Sequence, residues 1–238
     1  MNGFMDFLNS FELVASLRLM IIVGVSVIVG ILAGNSAVVA FNRMPAKWLC
    51  DYGEEPSEEL KQNDRQRLRS HPWKLFFSVM FSLFAVKLAV YDWQYALAVI
   101  ASLWALLIIA IADKKYMIIP DQFVVFLAFT AFGYVTYHNS FLFPLWGALI
   151  GGGVMLLIGL FGKLIFKKEA LGFGDVKLLA AVGLMTGPVG VCIIIVTCSI
   201  LSCIDFTILM VRKKIKRTDM MPFGPYVAFS TAFYLIFV

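Results

Sequence analysis

The sequence is poor in charge: Asp, Glu, Lys and Arg make up only 15% of its 238 residues, whereas 61% are hydrophobic. A water-soluble domain of this size would not tolerate its mean hydropathy of +0.88. Apolar stretches of bilayer-spanning length recur from residue 19 to the carboxyl end, which excludes a soluble enzyme carried on a single anchor. The composition therefore predicts an integral membrane protein in contact with lipid.

The sequence also lacks the cysteine and histidine patterns of metal sites. Its cysteines are Cys50, Cys192, Cys198 and Cys203. The last three lie in one apolar run without CxxC spacing, which indicates buried thiols rather than zinc ligands or a disulfide scaffold. His71 and His138 are isolated, and no Gly-rich nucleotide fingerprint follows a strand. We therefore expect no metal site and cannot name residues that bind a cofactor.

A signal peptide is not expected at the amino terminus. Asp6 and Glu12 precede the first apolar run, and neither a basic region nor a small-residue cleavage site accompanies it. This pattern indicates an uncleaved first helix.

The apolar runs predict an all-α, polytopic transmembrane helical bundle of about eight spans. Their approximate limits are 17–41, 75–91, 95–112, 122–137, 141–166, 176–188, 190–211 and 223–238. Several runs are shorter than the ~20 residues that cross a bilayer, which suggests tilt or ends buried in protein. We divide the chain into a first helix (1–41), a polar loop or small subdomain (42–74, with a short solvated helix expected at 57–69) and a membrane core (75–238).

The basic residues predict the orientation of the bundle. All 20 lysines and arginines except Arg18 and Lys87 fall in or beside the loops 42–74, 113–121, 167–175 and 212–222. By the positive-inside rule these loops are cytoplasmic and the amino terminus is outside. The net charge of +5 thus marks membrane sidedness, and we expect lipid but no nucleic acid as a partner.

Two aspartates at the predicted cytoplasmic level could form a catalytic pair. Asp113 ends the third span, and Asp175 opens the sixth after the turn Gly172-Phe173-Gly174. Two close carboxyl groups share one proton, so the ionised group can deprotonate a water while the protonated group donates to the carbonyl under attack. We expect Gly172 and Gly174 to permit positive φ angles and close approach of a peptide. This pattern is typical of a hydrolase without an acyl intermediate.

Other roles remain open for each acidic residue. Asp175 could be a helix N-cap, Asp113 a solvated boundary residue, and Asp121, after Pro120, a cap of the fourth span. Asp205 lies within a span, where we favour a structural partner of a cation or hydroxyl over a third site residue.

The lysines near and within the spans also leave alternatives. Lys177 could steer an anionic group or only mark sidedness, and Lys87 could extend to the outer surface or pair with an acid.

The two aspartate contexts together resemble the type IV prepilin peptidase family, membrane aspartyl proteases of the GxGD type. Asp113 is followed by Pro120 and Asp121 at the family's spacing, and "GFGDVK", which contains Asp175, matches the family's second motif. "GILAGNSAVVAFNRMP" and "MPFGPYVAF" resemble its first-span ending and the segment before its last helix. These four matches occur in the family's order and extend over most of the chain.

The resemblance implies a membrane aspartic endopeptidase with Asp113 and Asp175 as catalytic residues and Gly172, Gly174, Lys177, Pro120 and Asp121 around the substrate. It implies removal of short basic leaders from prepilins or pseudopilins of type IV pili or type II secretion, at the cytoplasmic face of the bacterial inner membrane. Proteolysis would need no cofactor. Many bacterial members then N-methylate the new terminus with S-adenosylmethionine, and the length of the 42–74 loop favours this activity here.

One departure from the family concerns the first cytoplasmic loop. Bacterial relatives commonly carry two CxxC pairs there, whereas this loop has only Cys50, so we expect no zinc. The departure puts in doubt the loop's structure and the methyl transfer, but not proteolysis.

Three rival functions remain. An ion- or proton-coupled transporter would also use intramembrane aspartates. Proteases of the presenilin kind share GxGD but place Tyr before the first aspartate, where this chain has Ala112. A structural protein of a secretion assembly would leave both aspartates replaceable.

Overall fold

The computed structural model describes residues 2–50, 55–56, 60, 67–138, 140–166, 172–216 and 219–237, with only the backbone for 2–13 and 166. Most of the short helix expected at 57–69 lies outside the described residues. The described chain is helical and contains no strand. Its α-helices are α1 (Asn2–Arg43), α2 (Ser70–Ala89), α3 (Trp93–Tyr116), α4 (Asp121–Thr130), α5 (Phe143–Phe166), α6 (Phe173–Val211) and α7 (Gly224–Phe237). Two 3₁₀ helices lie at Ala46–Leu49 and Ala131–Tyr137.

Five helices of the described chain are long and apolar enough to cross a bilayer. They are formed by Val14–Arg43, Ser70–Ala89, Trp93–Tyr116, Phe143–Ile165 and Phe173–Val211. The protein is therefore an all-α, multi-pass membrane protein, as the composition predicts. The number of eight spans stays a prediction.

Helix α3 forms the centre of the bundle. In the most apolar 18-residue stretch of α3, 61% of the residues are buried inside the protein, whereas the corresponding share is 11–28% in the other four long helices. Ile108, Ile109 and Ala112 on α3 are fully buried. The helix begins at Asp92, whose carboxylate accepts hydrogen bonds from the backbone N–H groups of the first turn. The hydroxyl of Tyr137 donates to the same carboxylate and lowers the pKa of Asp92.

Small residues bring α1 and α2 into close contact. A Cβ atom on Gly34 would lie 2.3 Å from the backbone nitrogen of Ser78, and one on Gly30 would lie 2.3 Å from the backbone of Ser82. The Ser78 hydroxyl donates to the carbonyl of Ile31 at 3.3 Å across this interface. Small residues at such spacing let apolar helices pack backbone against backbone in lipid.

Helix α6 reverses its direction at Gly187. There the backbone leaves helical geometry (φ 69°, ψ −175°), and Pro188 follows. A Cβ atom on Gly151 would contact both the Leu179 carbonyl (2.3 Å) and the Val191 side chain (2.9 Å). A straight helix would hold those two residues roughly 18 Å apart, so the halves of α6 must lie side by side. The predicted break near Pro188 is present.

The predicted fourth span, 122–137, corresponds to a helical segment whose last part is not an α-helix. The α-helix ends at Thr130, and the chain continues to Tyr137 as a 3₁₀ helix. The hydroxyl of Tyr134, which is almost fully buried, lies 2.9 Å from that of Ser102 on α3. The apolar pattern of 122–137 does not distinguish an α-helix from this tighter winding.

The turns fall into two groups at opposite ends of the bundle. At one end Asp92 meets Tyr137, and His138 Nε2 lies 3.0 Å from the carbonyl of Met185, close to the α6 reversal. The other end brings together the 3₁₀ helix Ala46–Leu49, the α3–α4 turn and the beginning of α6. The candidate site lies at this second end.

Candidate active site

Asp113 lies in the last helical turns of α3 and is only 5% exposed. Helix α3 ends because Met117 adopts a left-handed conformation (φ 58°), in which its N–H donates to the carbonyl of Asp113 at 2.8 Å. The alternative of a solvated boundary residue is wrong, because the adjacent lysines extend outward while the Asp113 side chain is enclosed.

The carboxylate of Asp113 is held by the backbone at the start of α7. The N–H of Gly224 donates to Oδ2 at 2.7 Å, and the N–H of Phe223 also donates to this side chain. A Cβ atom on Gly224 would lie 2.9 Å from the same oxygen. Glycine thus lets the α7 backbone reach the carboxylate. Our sequence analysis did not place Gly224 in the site, although "MPFGPYVAF" was the available signal.

Asp175 lies in the first turn of α6 and does not hold the N-cap position proposed as its alternative. Gly172 holds that position with an extended backbone (φ −71°, ψ 140°). The Asp175 N–H donates to the Gly172 carbonyl at 3.1 Å, and the Gly172 N–H donates back to the Asp175 carboxylate. The Asp175 side chain thus makes one half of a capping box, whereas Gly172 has no side chain to make the other half, and the carboxylate lies at the amino end of the helix.

A single cavity of about 1080 Å³ is lined by both aspartates. Its other lining residues include Pro45 to Trp48, Cys50, Glu55, the turn from Met117 to Gln122, and Gly172, Phe173, Gly174 and Lys177. The two carboxyl groups are close enough to interact electrostatically. The fold therefore brings together two acidic groups from distant parts of the chain in one open pocket.

Lys177 and Asp121 form an ion pair beside the two aspartates. Lys177 Nζ lies 2.8 Å from Asp121 Oδ2 and 3.0 Å from Oδ1, with about a third of each side chain exposed. Pro120 holds the cap position of α4, and Asp121 is the first residue inside the helix. The capping role considered for Asp121 is therefore wrong, and the pair joins the start of α4 to the start of α6.

Of the two glycines of the GxGD motif, Gly174 allows close packing. Among the described glycines only Gly187 has a positive φ, so the positive φ expected at Gly172 and Gly174 is wrong. Gly174 is helical, and a Cβ atom there would lie 3.0 Å from the Cβ of Ile119. The absent side chain allows the α3–α4 turn to approach the beginning of α6.

Asp205 and Lys87 lie outside the lining of this cavity. The hydroxyl of Tyr226 donates to Asp205 Oδ2, as expected for a structural partner of a hydroxyl. Lys87 Nζ lies 3.6 Å from the centre of the Phe237 ring, so it contacts an aromatic residue rather than an acid.

Comparison with known proteins finds relatives of this chain that are named leader peptidases. The sequence model of the Type IV leader peptidase family matches residues 100–209, which include Asp113 and Asp175. The leader peptidase HopD of Salmonella typhimurium is 35% identical over 128 residues, 51% of this chain and 81% of HopD. HopD of Escherichia coli is 31% identical over 119 residues, 49% of this chain and 77% of that protein. No solved structure matches.

A longer relative is matched only in part. The prepilin leader peptidase/N-methyltransferase of Stutzerimonas stutzeri is 32% identical over 146 residues, 59% of this chain and 49% of the relative. The chain thus spans about half the length of the curated relatives of this kind that it matches.

The fold and the site define a multi-pass, all-α membrane protein with two carboxyl groups in one cavity at the end of the bundle. By the extent of its similarity to HopD and the matching family description, the chain belongs to the type IV leader peptidase family.

Proposed function

We propose that this protein is a membrane aspartic endopeptidase that removes the leader peptide from type IV prepilins or pseudopilins. The observation that carries the proposal is the shared cavity of Asp113 and Asp175. Family membership supports it, as do the names of relatives described as leader peptidases. The catalytic roles of the two aspartates belong to this proposal.

The chemistry follows from the proximity of the two carboxyl groups. One proton shared between them leaves one ionised carboxylate, which removes a proton from a water in the cavity. The water attacks the scissile carbonyl while the protonated partner donates to the carbonyl oxygen. The C–N bond then breaks as the proton taken from the water passes to the leaving nitrogen. The Phe223 and Gly224 N–H groups hold Asp113, and the Gly172 N–H holds Asp175. Neither carboxyl group then has to reorganise during the reaction.

The site would face the cytoplasm of a bacterium from its inner membrane, with the amino terminus outside. The lysines and arginines support this orientation, because the segments lining the cavity are those rich in basic residues. A prepilin would place its leader in the cavity and its apolar helix in the bilayer.

The test is cleavage of a purified prepilin by the reconstituted protein and by two variants. We expect Asp113→Asn and Asp175→Asn to lower the cleavage rate by at least about 10³-fold, because each removes a group that acts in the proton transfers. Asp219→Asn is the matched control, since Asp219 is an exposed carboxylate in the loop before α7.

Cleavage at the normal rate by either dyad variant would contradict the proposal. Proton-driven flux into vesicles without any cleavage would instead favour a transporter.

We propose N-methylation of the new amino terminus as a second activity, supported by the name of the Stutzerimonas stutzeri relative. Trp48 and Glu55 line the same cavity, and an aromatic ring with a carboxylate suits the sulfonium cation of S-adenosylmethionine. The donor would supply the methyl group. We expect mass spectrometry of the mature pilin to show one added methyl on its first residue, and an unmodified terminus would contradict this activity.

A further inference from the structure

The contact between Asp205 and Tyr226 lies outside the lining of the cavity, but Tyr226 is close in sequence to Gly224, which contacts Asp113. Asp205 is on the second half of α6, and Tyr226 is on the first turn of α7. Tyr226 follows Gly224 by two residues, and the Gly224 N–H holds Asp113. The hydroxyl of Tyr226 donates to Asp205 Oδ2.

The carboxyl group of Asp205 has few alternative partners in its apolar surroundings. A carboxyl group within a membrane helix is costly unless it has a partner, and the neighbours of Asp205 in the sequence "LSCIDFTIL" offer no cation. Both side chains are partly buried. The hydrogen bond is therefore favoured over hydration, and it ties the start of α7 to the second half of α6.

Helix α7 is fixed to the rest of the bundle near both of its ends. Near its carboxyl end, the hydroxyl of Tyr95 on α3 donates to the carbonyl of Leu235 at 3.0 Å. Near its amino end, the Asp205–Tyr226 bond lies within one helical turn of Gly224. In the segment before α7, the described hydrogen bonds of Asp219 are local ones to Lys216. Of the described side-chain hydrogen bonds that α7 makes to other helices, the Asp205–Tyr226 bond is thus the one nearest to Gly224 apart from that of Gly224 itself.

We propose that Asp205 and Tyr226 are positioning residues that keep the Gly224 N–H in hydrogen-bonding contact with Asp113. The inference rests on the proposed peptidase function. It gives Asp205 a role in catalysis that acts through the α7 backbone, because Asp205 itself does not line the cavity.

The kinetic test uses four variants with a prepilin substrate. We expect Tyr226→Phe and Asp205→Ala each to lower kcat by about tenfold, the equivalent of one lost hydrogen bond in the transition state, with KM changed less than about twofold. The double variant should be no slower than either single variant, because both remove the same contact. Asp205→Asn should retain nearly normal kcat, since its amide oxygen still accepts from Tyr226.

A second readout follows the contact itself without relying on cleavage. Hydrogen exchange of the peptide containing Gly224 should be faster in Tyr226→Phe and Asp205→Ala than in the wild type and in Asp205→Asn. A purely stabilising role would lower the unfolding temperature but leave kcat and this local exchange unchanged.

The two proposals fail in different ways. If the wild type cleaves prepilin and Asp205→Ala keeps its kcat, the positioning role is wrong while the peptidase function stands. If the wild type does not cleave, the peptidase function is wrong. Unchanged exchange at Gly224 in both variants would overturn the positioning role whatever the cleavage result.

Discussion

At the scale of single residues, the site depends on backbone groups as much as on side chains. Asp113 is almost fully enclosed, and burial of an unpaired carboxylate would be costly. The N–H groups of Phe223 and Gly224 compensate for part of the lost hydration. They also fix the direction of the carboxyl group. The start of α7 is therefore as much a part of the site as the two aspartates.

Replacing Gly224 by alanine tests this dependence. The new Cβ would lie 2.9 Å from Asp113 Oδ2 and 3.1 Å from its Cβ, so the carboxyl group or the α7 backbone must move. Because displacement of a catalytic group by about 1 Å can cost on the order of 100-fold in rate, we expect a loss of that size in kcat for Gly224→Ala. The measurement is prepilin cleavage by the purified variant.

Gly153→Ala is the control for this substitution. A Cβ atom on Gly153 meets nothing within 4 Å, so this variant should cleave at the wild-type rate. Normal activity of Gly224→Ala would show that the site tolerates displacement of the α7 backbone.

The sequence predicted that the two aspartates lie close together, but not which groups hold their side chains. Asp113 and Asp175 stand out because an acid is rare beside an apolar run. The N–H of Gly224 is not itself a signal, since every residue other than proline carries a backbone donor, and only the segment "MPFGPYVAF" pointed to this part of the chain. The positive φ expected at Gly172 and Gly174 was wrong, and Gly174 instead needs its small size against Ile119.

At the scale of elements, the reversal within α6 determines where Asp175 lies. Gly147 and Gly151 on α5 pack directly against the backbone of the first half of α6. The second half returns beside it and carries Asp205 to the start of α7. One helical hairpin thus positions Asp175 directly and, through Asp205, contacts the segment that holds Asp113.

Gly187→Ala is expected to destabilise this hairpin. The backbone there (φ 69°, ψ −175°) is one that a residue with a side chain rarely adopts, and a Cβ atom would lie 2.2 Å from the Phe143 ring. A cost of about 1–3 kcal/mol or more follows from the strain alone. The unfolding temperature of the purified protein should fall clearly.

Gly24→Ala provides the comparison, because a Cβ atom at Gly24 meets nothing within 4 Å. If both variants unfold at the wild-type temperature, the α6 reversal does not depend on glycine at position 187.

The sequence predicted helices more reliably than it predicted their ends. Gly187 followed by Pro188 is a strong break signal, and the break is present. The end of α4 at Thr130 had no comparable signal, because the residues that follow are still mostly apolar or aromatic and contain no proline. Tertiary contacts such as that between Tyr134 and Ser102 accompany the tighter winding there.

At the scale of the whole molecule, the two ends of the bundle differ in composition. The cavity and its basic flanking segments lie at one end, and the short turns near Asp92 and Gly187 lie at the other. The grouping of these turns could be predicted from the alternation of apolar runs and from the distribution of Lys and Arg. The number of spans could not, because α4 and α7 are shorter than the ~20 residues that cross a bilayer.

Labelling of single cysteines from either side of the membrane tests the proposed orientation. In a background with all four native cysteines replaced by alanine, Tyr91→Cys places a thiol in the turn before α3, where Tyr91 is 87% exposed. Asp219→Cys places one in the exposed segment before α7, at the other end of the bundle. In intact spheroplasts, a membrane-impermeant maleimide should modify position 91 at once and position 219 only after permeabilisation.

The positive-inside rule requires this result, because 212–222 is rich in Lys and Arg whereas the turn at 91 carries none. The reverse pattern would place the two aspartates on the outer side, where a leader peptide that remains in the cytoplasm could not reach them.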